Sequence, residues 1–101
     1  MKKVLLAVSV AALAQSAQAA TLNLYCSAQE DWCQLMSKTF EEKTGINVKM
    51  QRKSSGETFA QIRAESANPK GDVWWGGTGD PHLQAAEEKL TAPYVSPMRG
   101  E

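Results

Sequence analysis

Three short tracts hold the residues that could do chemistry: Cys26-Ser27-Ala28-Gln29, Lys53-Ser54-Ser55-Gly56 and Gly76-Gly77-Thr78-Gly79. Each precedes a stretch of helical character. At a helix start the first amides lack intrahelical partners and the positive end of the dipole points outward, so a negative group is favoured there. Glycine admits a ligand close to the backbone, and Ser and Thr add short donors. A phosphate, phosphonate or carboxylate suits this pattern. The candidate ligand-binding residues are Ser27, Gln29, Ser54, Ser55, Gly56, Gly77 and Thr78, and Arg52 and Lys53 stand near enough in sequence to add charge.

Plainer uses account for part of the pattern. Ser27 and Ser54 each stand three residues before a glutamate, Glu30 and Glu57, which is the spacing of a capping box. The glycine tract can serve a tight turn alone, and it lacks the lysine of a P-loop. Trp74 and Trp75 are adjacent in an expected strand, so they point to opposite faces, one into the core and one toward a cleft wall or ordinary packing. His82, the only histidine, is expected on a helix surface. No nucleophile, base and orienting group come together, so the reading is a binder and not an enzyme. No resident metal or cofactor site is expected. Cys26 and Cys33, the only cysteines, read as a structural disulfide on compartment grounds, with free thiols as the alternative.

The elements that position these tracts follow from periodicity. Leu22 to Tyr25 reads as a strand, and Trp32, Leu35, Met36 and Phe40 form the buried stripe of a helix that Gly45 ends. Ile46, Val48 and Met50 alternate with polar residues in a second strand. Phe59 and Ile62 mark a second helix, terminated by Asn68-Pro69-Lys70-Gly71. Asp72 to Trp75 is a short third strand. Asp80 caps a third helix with Pro81 at its first position, and Leu83, Ala86 and Leu90 lie on its buried side. The order β-α-β-α-β-α predicts an α/β fold of three layers with a parallel sheet, and right-handed crossovers gather all three tracts at one edge.

Composition limits the setting. Lys2-Lys3, an apolar run and Ala17-Gln18-Ala19 give residues 1–19 the layout of a secretory signal peptide, leaving 20–101 as the mature chain. Two of the eleven basic side chains lie in that leader, against eleven acidic ones downstream, so the mature charge is near −2 with both signs mixed. That excludes the basic face of a nucleic-acid binder. A mature chain this short buries only about 60–65% of its unfolded surface, so a disulfide staple is of use.

The stretches LNLYCSAQEDWC, FEEKTGINV, RKSSGETFAQIRAE and NPKGDVWWGGTGDPHLQAAEEKL together resemble the amino-terminal part of periplasmic solute-binding proteins of ABC transporters, in the group of ferric-iron, phosphonate and sugar-phosphate binders. The resemblance implies a two-lobed, hinged α/β protein of the type II periplasmic-binding kind. Residues 20–101 would be the incomplete start of its first lobe. It also implies capture of a small anionic solute or ferric complex in the interlobe cleft, delivery to an ABC permease at the inner membrane, a periplasmic location and a monomeric state. Ferric iron enters only as transported solute. Ferric binders of the group commonly place a His where this chain has Gln29 and a Glu where it has Gly77, so an organic anion, or iron carried with an anion, fits these loops better. The alternatives are a non-functional truncated remnant and an exported hydrolase of phosphate esters.

Overall fold

The computed structural model describes residues 20–98, and the signal peptide read in residues 1–19 lies outside them. Six elements alternate: β1 (Thr21–Cys26), α1 (Glu30–Thr44), β2 (Asn47–Arg52), α2 (Ser55–Ala64), β3 (Val73–Trp75) and α3 (Gly79–Glu87). The strands form one parallel sheet in the order β2-β1-β3. The expected α/β order is therefore present. Because the first crossover runs to one side of β1 and the second returns past it, right-handed connections put α1 and α2 on opposite faces.

The sheet centre is apolar and small. Leu24 and Cys26 of β1 and Cys33 of α1 are buried, with Ala28, Val48, Met50 and Trp75 packed against them. The alternation in β2 has its cause here: Val48 and Met50 face this cluster while Asn47, Lys49 and Gln51 face solvent. Cys26 and Cys33 are joined by a disulfide, their Cα atoms 6.0 Å apart, which staples the end of β1 to the second turn of α1.

The rotation of α1 differs from the periodicity reading. Trp32, Leu35, Met36 and Phe40 are 56%, 63%, 49% and 38% exposed. The inward line is instead Cys33, which is buried, with the half-buried Ser37 and Glu41 following at spacings of four. The disulfide fixes Cys33 inward, Ser37 Oγ bonds back to the Cys33 carbonyl, and Glu41 Oε2 accepts the Val48 N–H at 2.8 Å. A covalent tether and a strand amide seeking a partner outweigh the apolar count. Gly45 closes the helix as expected, at φ 75 with its N–H on the Glu41 carbonyl.

The two later helices also depart in detail. α2 ends at Ala64, and turns at 65–67 precede the Asn68–Gly71 tract. α3 starts at Gly79 with Thr78 as N-cap, not with Asp80 as cap and Pro81 first. Its buried residue is Ala85, whereas Leu83 is 65% exposed and Ala86 is also exposed. With Ala85 inward in place of Ala86, the buried face is turned by about 100° from the expected one, and His82 lies against Trp74 of β3. α2 and α3 pack together, joined at the surface by Arg63, whose Nη2 lies 2.6 Å from Glu88 Oε2. Among the described residues no helix is long and apolar enough to cross a membrane.

Candidate functional site

Parallel strands all end at the same edge, and that edge carries the tracts 27–29, 53–54 and 76–78. The order reverses at β1, so the carboxyl ends of β1 and β3 flank the position where open α/β sheets hold ligands. The three tracts touch one another. Ser27 N–H donates to the Trp75 carbonyl at 2.8 Å, Lys53 N–H donates to the Cys26 carbonyl at 3.1 Å, and Thr78 N–H donates to Ser55 Oγ at 3.0 Å.

Ser27 is not a helix cap. The N-cap of α1 is Gln29, which makes no side-chain cap bond. Ser27 is buried at 8% exposure, where its Oγ accepts the Trp74 indole N–H at 3.0 Å and pairs with Thr58 Oγ1 at 3.2 Å. Thr58, itself 1% exposed, supplies a polar partner from inside α2, and that interior bond outcompetes the free amides of α1. Ser27 therefore ties β1, β3 and α2 beneath the rim and does not face solvent.

Ser54 behaves as its spacing predicts. Its Oγ accepts the Glu57 N–H while the Glu57 carboxylate takes the Ser54 N–H, closing a capping box. Hydrogen bonds from Ser54 hold the Glu57 carboxyl below the usual range, with the nearby Lys53 and Arg52 charges adding to the effect. Ser55, half-buried, bridges two turns: its oxygen accepts from Thr78, and its own proton stays free to donate. Gln29, Gly56, Gly77 and Thr78 are exposed at the same edge.

Gly77 has a packing reason of its own. At φ 91 it adopts a backbone conformation that side chains avoid. A Cβ there would overlap Ser55 Oγ and stand 2.9 Å from Ser27 Cβ. Gly76, at φ 86, is also close-packed: a Cβ there would stand 2.9 Å from Ala28 Cβ and N. The turn thus needs both glycines to seat 76–78 against the other two tracts.

Charge is divided. Arg52 Nε donates to the Ala28 carbonyl at 2.9 Å, which lays the guanidinium across the rim, whereas Lys53 Nζ turns along α2 to Gln61 Oε1 at 2.7 Å. The starts of α1 and α3 lack side-chain caps; Asp31 and Asp80 in their first turns supply negative charge in part. Among the described residues no three His, Cys, Asp or Glu side chains group as a metal would require. Trp75 packs on the core and Trp74 lies toward the rim, so the tryptophan pair divides between two faces.

His82 is the residue that sequence reasoning missed. It is not a free helix-surface group: its ring stacks on Trp74, with centroids 3.8 Å apart and planes at 24°, and Nε2 lies 2.8 Å from the Gly76 carbonyl. A signal existed in the spacing, since His82 falls one helical turn after the Thr78 cap, on the side of the helix that faces back to the strand end.

A parallel β-α-β-α-β-α unit whose strand ends converge on helix starts, at a reversal of strand order, is a doubly wound α/β arrangement, and it matches the start of a periplasmic-binding-protein fold. Residues 22–100 match the family of bacterial extracellular solute-binding proteins, and the chain belongs to that family. It is 46% identical over 92 residues to an uncharacterized protein of Haemophilus influenzae, covering 91% of this chain and 27% of that one. The periplasmic binding protein AfuA of Actinobacillus pleuropneumoniae, solved with exogenous fructose 6-phosphate bound, is 47% identical with a TM-score of 0.75 over 77% of this chain and 24% of AfuA. Iron-bound HitA of Pseudomonas aeruginosa is 31% identical, with a TM-score of 0.72 over 77% of this chain and 25% of HitA. The chain thus spans about a quarter of the length of these relatives.

Proposed function

We propose that the chain supplies the first-lobe half of the solute site in an extracytoplasmic receptor of an ABC importer, and that the solute is an organic anion of the phosphate-ester kind. One observation carries this reading: Ser55 Oγ accepts from Thr78 and keeps a proton to donate, at the junction of the helix starts of α2 and α3. Arg52 lies across the same rim. A phosphoryl group placed there would receive the Ser55 hydroxyl, the first amides of α3 and the guanidinium together. The higher identity to AfuA than to HitA agrees with this preference, as do Gln29 and Gly77 at positions where ferric binders offer anionic or imidazole donors. Capture without turnover, a periplasmic location, a monomeric receptor and a permease partner belong to the same proposal.

The test is a ¹⁵N-resolved NMR titration of the mature chain with fructose 6-phosphate, inorganic phosphate, ferric citrate and fructose. The phosphate ester should shift the amides of Ser55 and of residues 77–80, and fructose should not. If fructose moves the same amides equally, or if the changes fall away from this rim, the reading is wrong. Ferric citrate acting at these amides more strongly than the ester would favour iron carried with an anion. Ser55→Ala and Thr78→Ala should each weaken the response to the ester.

A further inference from the structure

The turn that offers the α3 amides contains Gly76 and Gly77, both at positive φ. Two successive glycines lose more backbone freedom on ordering than any other pair of residues. Something outside the turn has to hold it. Ser55 does so from α2, through the Thr78 N–H.

We infer that His82 is the second tether, a positioning residue that fixes the 76–78 turn in the shape the proposed solute site needs. The inference rests on that proposed site for its purpose but not for its geometry. A carbonyl only accepts, so Nε2 carries the proton and donates to Gly76 at 2.8 Å. The ring is in turn held flat on Trp74. Trp74 is locked by its indole N–H on Ser27, and Ser27 by Thr58. A continuous run of contacts, Thr58 to Ser27 to Trp74 to His82 to Gly76, therefore links the interior of α2 to the carbonyl of the glycine turn. His82 acts on a ligand through Gly76 and does not touch it.

Three variants separate its two contacts. His82→Phe keeps a flat ring on Trp74 and loses the donor; His82→Gln keeps a donor and loses the ring; His82→Ala loses both. With one hydrogen bond removed, exchange of the Thr78 amide, which Ser55 Oγ holds, should quicken in His82→Phe by about fivefold, while the Trp74 indole resonance and the melting temperature stay near those of the parent. His82→Gln should recover most of the protection. Fructose 6-phosphate, titrated into parent and His82→Phe, should bind the variant more weakly by a similar factor. Unchanged exchange at Thr78 in His82→Phe, or no recovery in His82→Gln, overturns the assignment. Should the parent ignore fructose 6-phosphate altogether, the solute proposal fails, and the exchange data alone then decide whether His82 holds the turn. If His82→Ala does not fold, the other two variants still give the comparison.

Discussion

Alanine at Gly77 presses on the rim at its tightest point. The residue stands at φ 91, outside the region open to side chains, which costs about 1–2 kcal/mol. The new Cβ overlaps Ser55 Oγ and approaches Ser27 Cβ to 2.9 Å. Ser55 has to rotate away, and the 3.0 Å bond from Thr78 breaks, adding about 1 kcal/mol. The expected loss is then about 2–3 kcal/mol before any crowding against Ser27. Equilibrium urea unfolding measures it: with a slope near 1 kcal/mol per molar for so small a domain, the midpoint should fall by about 2–3 M. The decisive comparison repeats Gly77→Ala in a Ser55→Ala background. There the hydrogen bond is already gone and the overlapping oxygen is absent, so the second change should cost less by about 1 kcal/mol or more. Strict additivity of the two changes, or an unmoved midpoint for Gly77→Ala alone, refutes the contact between these turns.

Replacing both Cys26 and Cys33 by alanine opens a loop with a sequence separation of seven. The chain-entropy relation gives a loss of about 2.4 kcal/mol, or a melting point lower by about 10–20 °C, and melting of the variant should no longer respond to a reductant. Tyr25→Phe should flatten the pH dependence of stability at both ends. The Tyr25 hydroxyl donates to Glu65 Oε1 at 2.6 Å, and this bond is the main cause that lowers the Glu65 carboxyl. Its contribution is present above the ordinary glutamate range and is lost as pH falls through the lowered value. Burial first, and then Glu65, raises the Tyr25 phenol. That contribution is full below the usual tyrosine value near pH ~10 and is lost as pH rises through the raised one. Denaturant midpoints across the pH range should therefore drop at acid and alkaline extremes in the parent and less so in Tyr25→Phe.

The order of elements was legible because each strand is a short apolar run and each helix has a punctuating residue, Gly45 and the Ser54–Glu57 box being the clearest. The disulfide was legible from compartment and cysteine count. Helix rotation was not. In α1 the apolar stripe from Trp32 to Phe40 outnumbers the face that is buried, and nothing in a periodicity count weighs a covalent tether at Cys33 or the pull of the Val48 amide on Glu41. In α3 the Asp80-Pro81 pair is a good local start signal, yet Thr78, drawn to Ser55, sets the start two residues earlier. Ser27 shows the same competition at the site. Its spacing to Glu30 satisfies the capping rule, but a buried Thr58 hydroxyl and the Trp74 indole, distant in sequence, offer it partners that a local rule does not see. The gathering of the three tracts was legible, since it follows from parallel strands and crossover handedness. The use of Ser27 beneath the rim was not, because its partners Thr58 and Trp74 stand 31 and 47 residues away in sequence. His82, by contrast, meets Gly76 and Trp74 close by in the chain and was missed only because the helix rotation was misjudged.

Both sulfurs of the Cys26–Cys33 pair end at 0% exposure. An oxidant or a reductant therefore meets these sulfurs only when α1 is lifted from the sheet, before docking or in a local opening. The rate of that opening, and not the chemistry at the sulfurs alone, then limits how fast the pair exchanges with its surroundings.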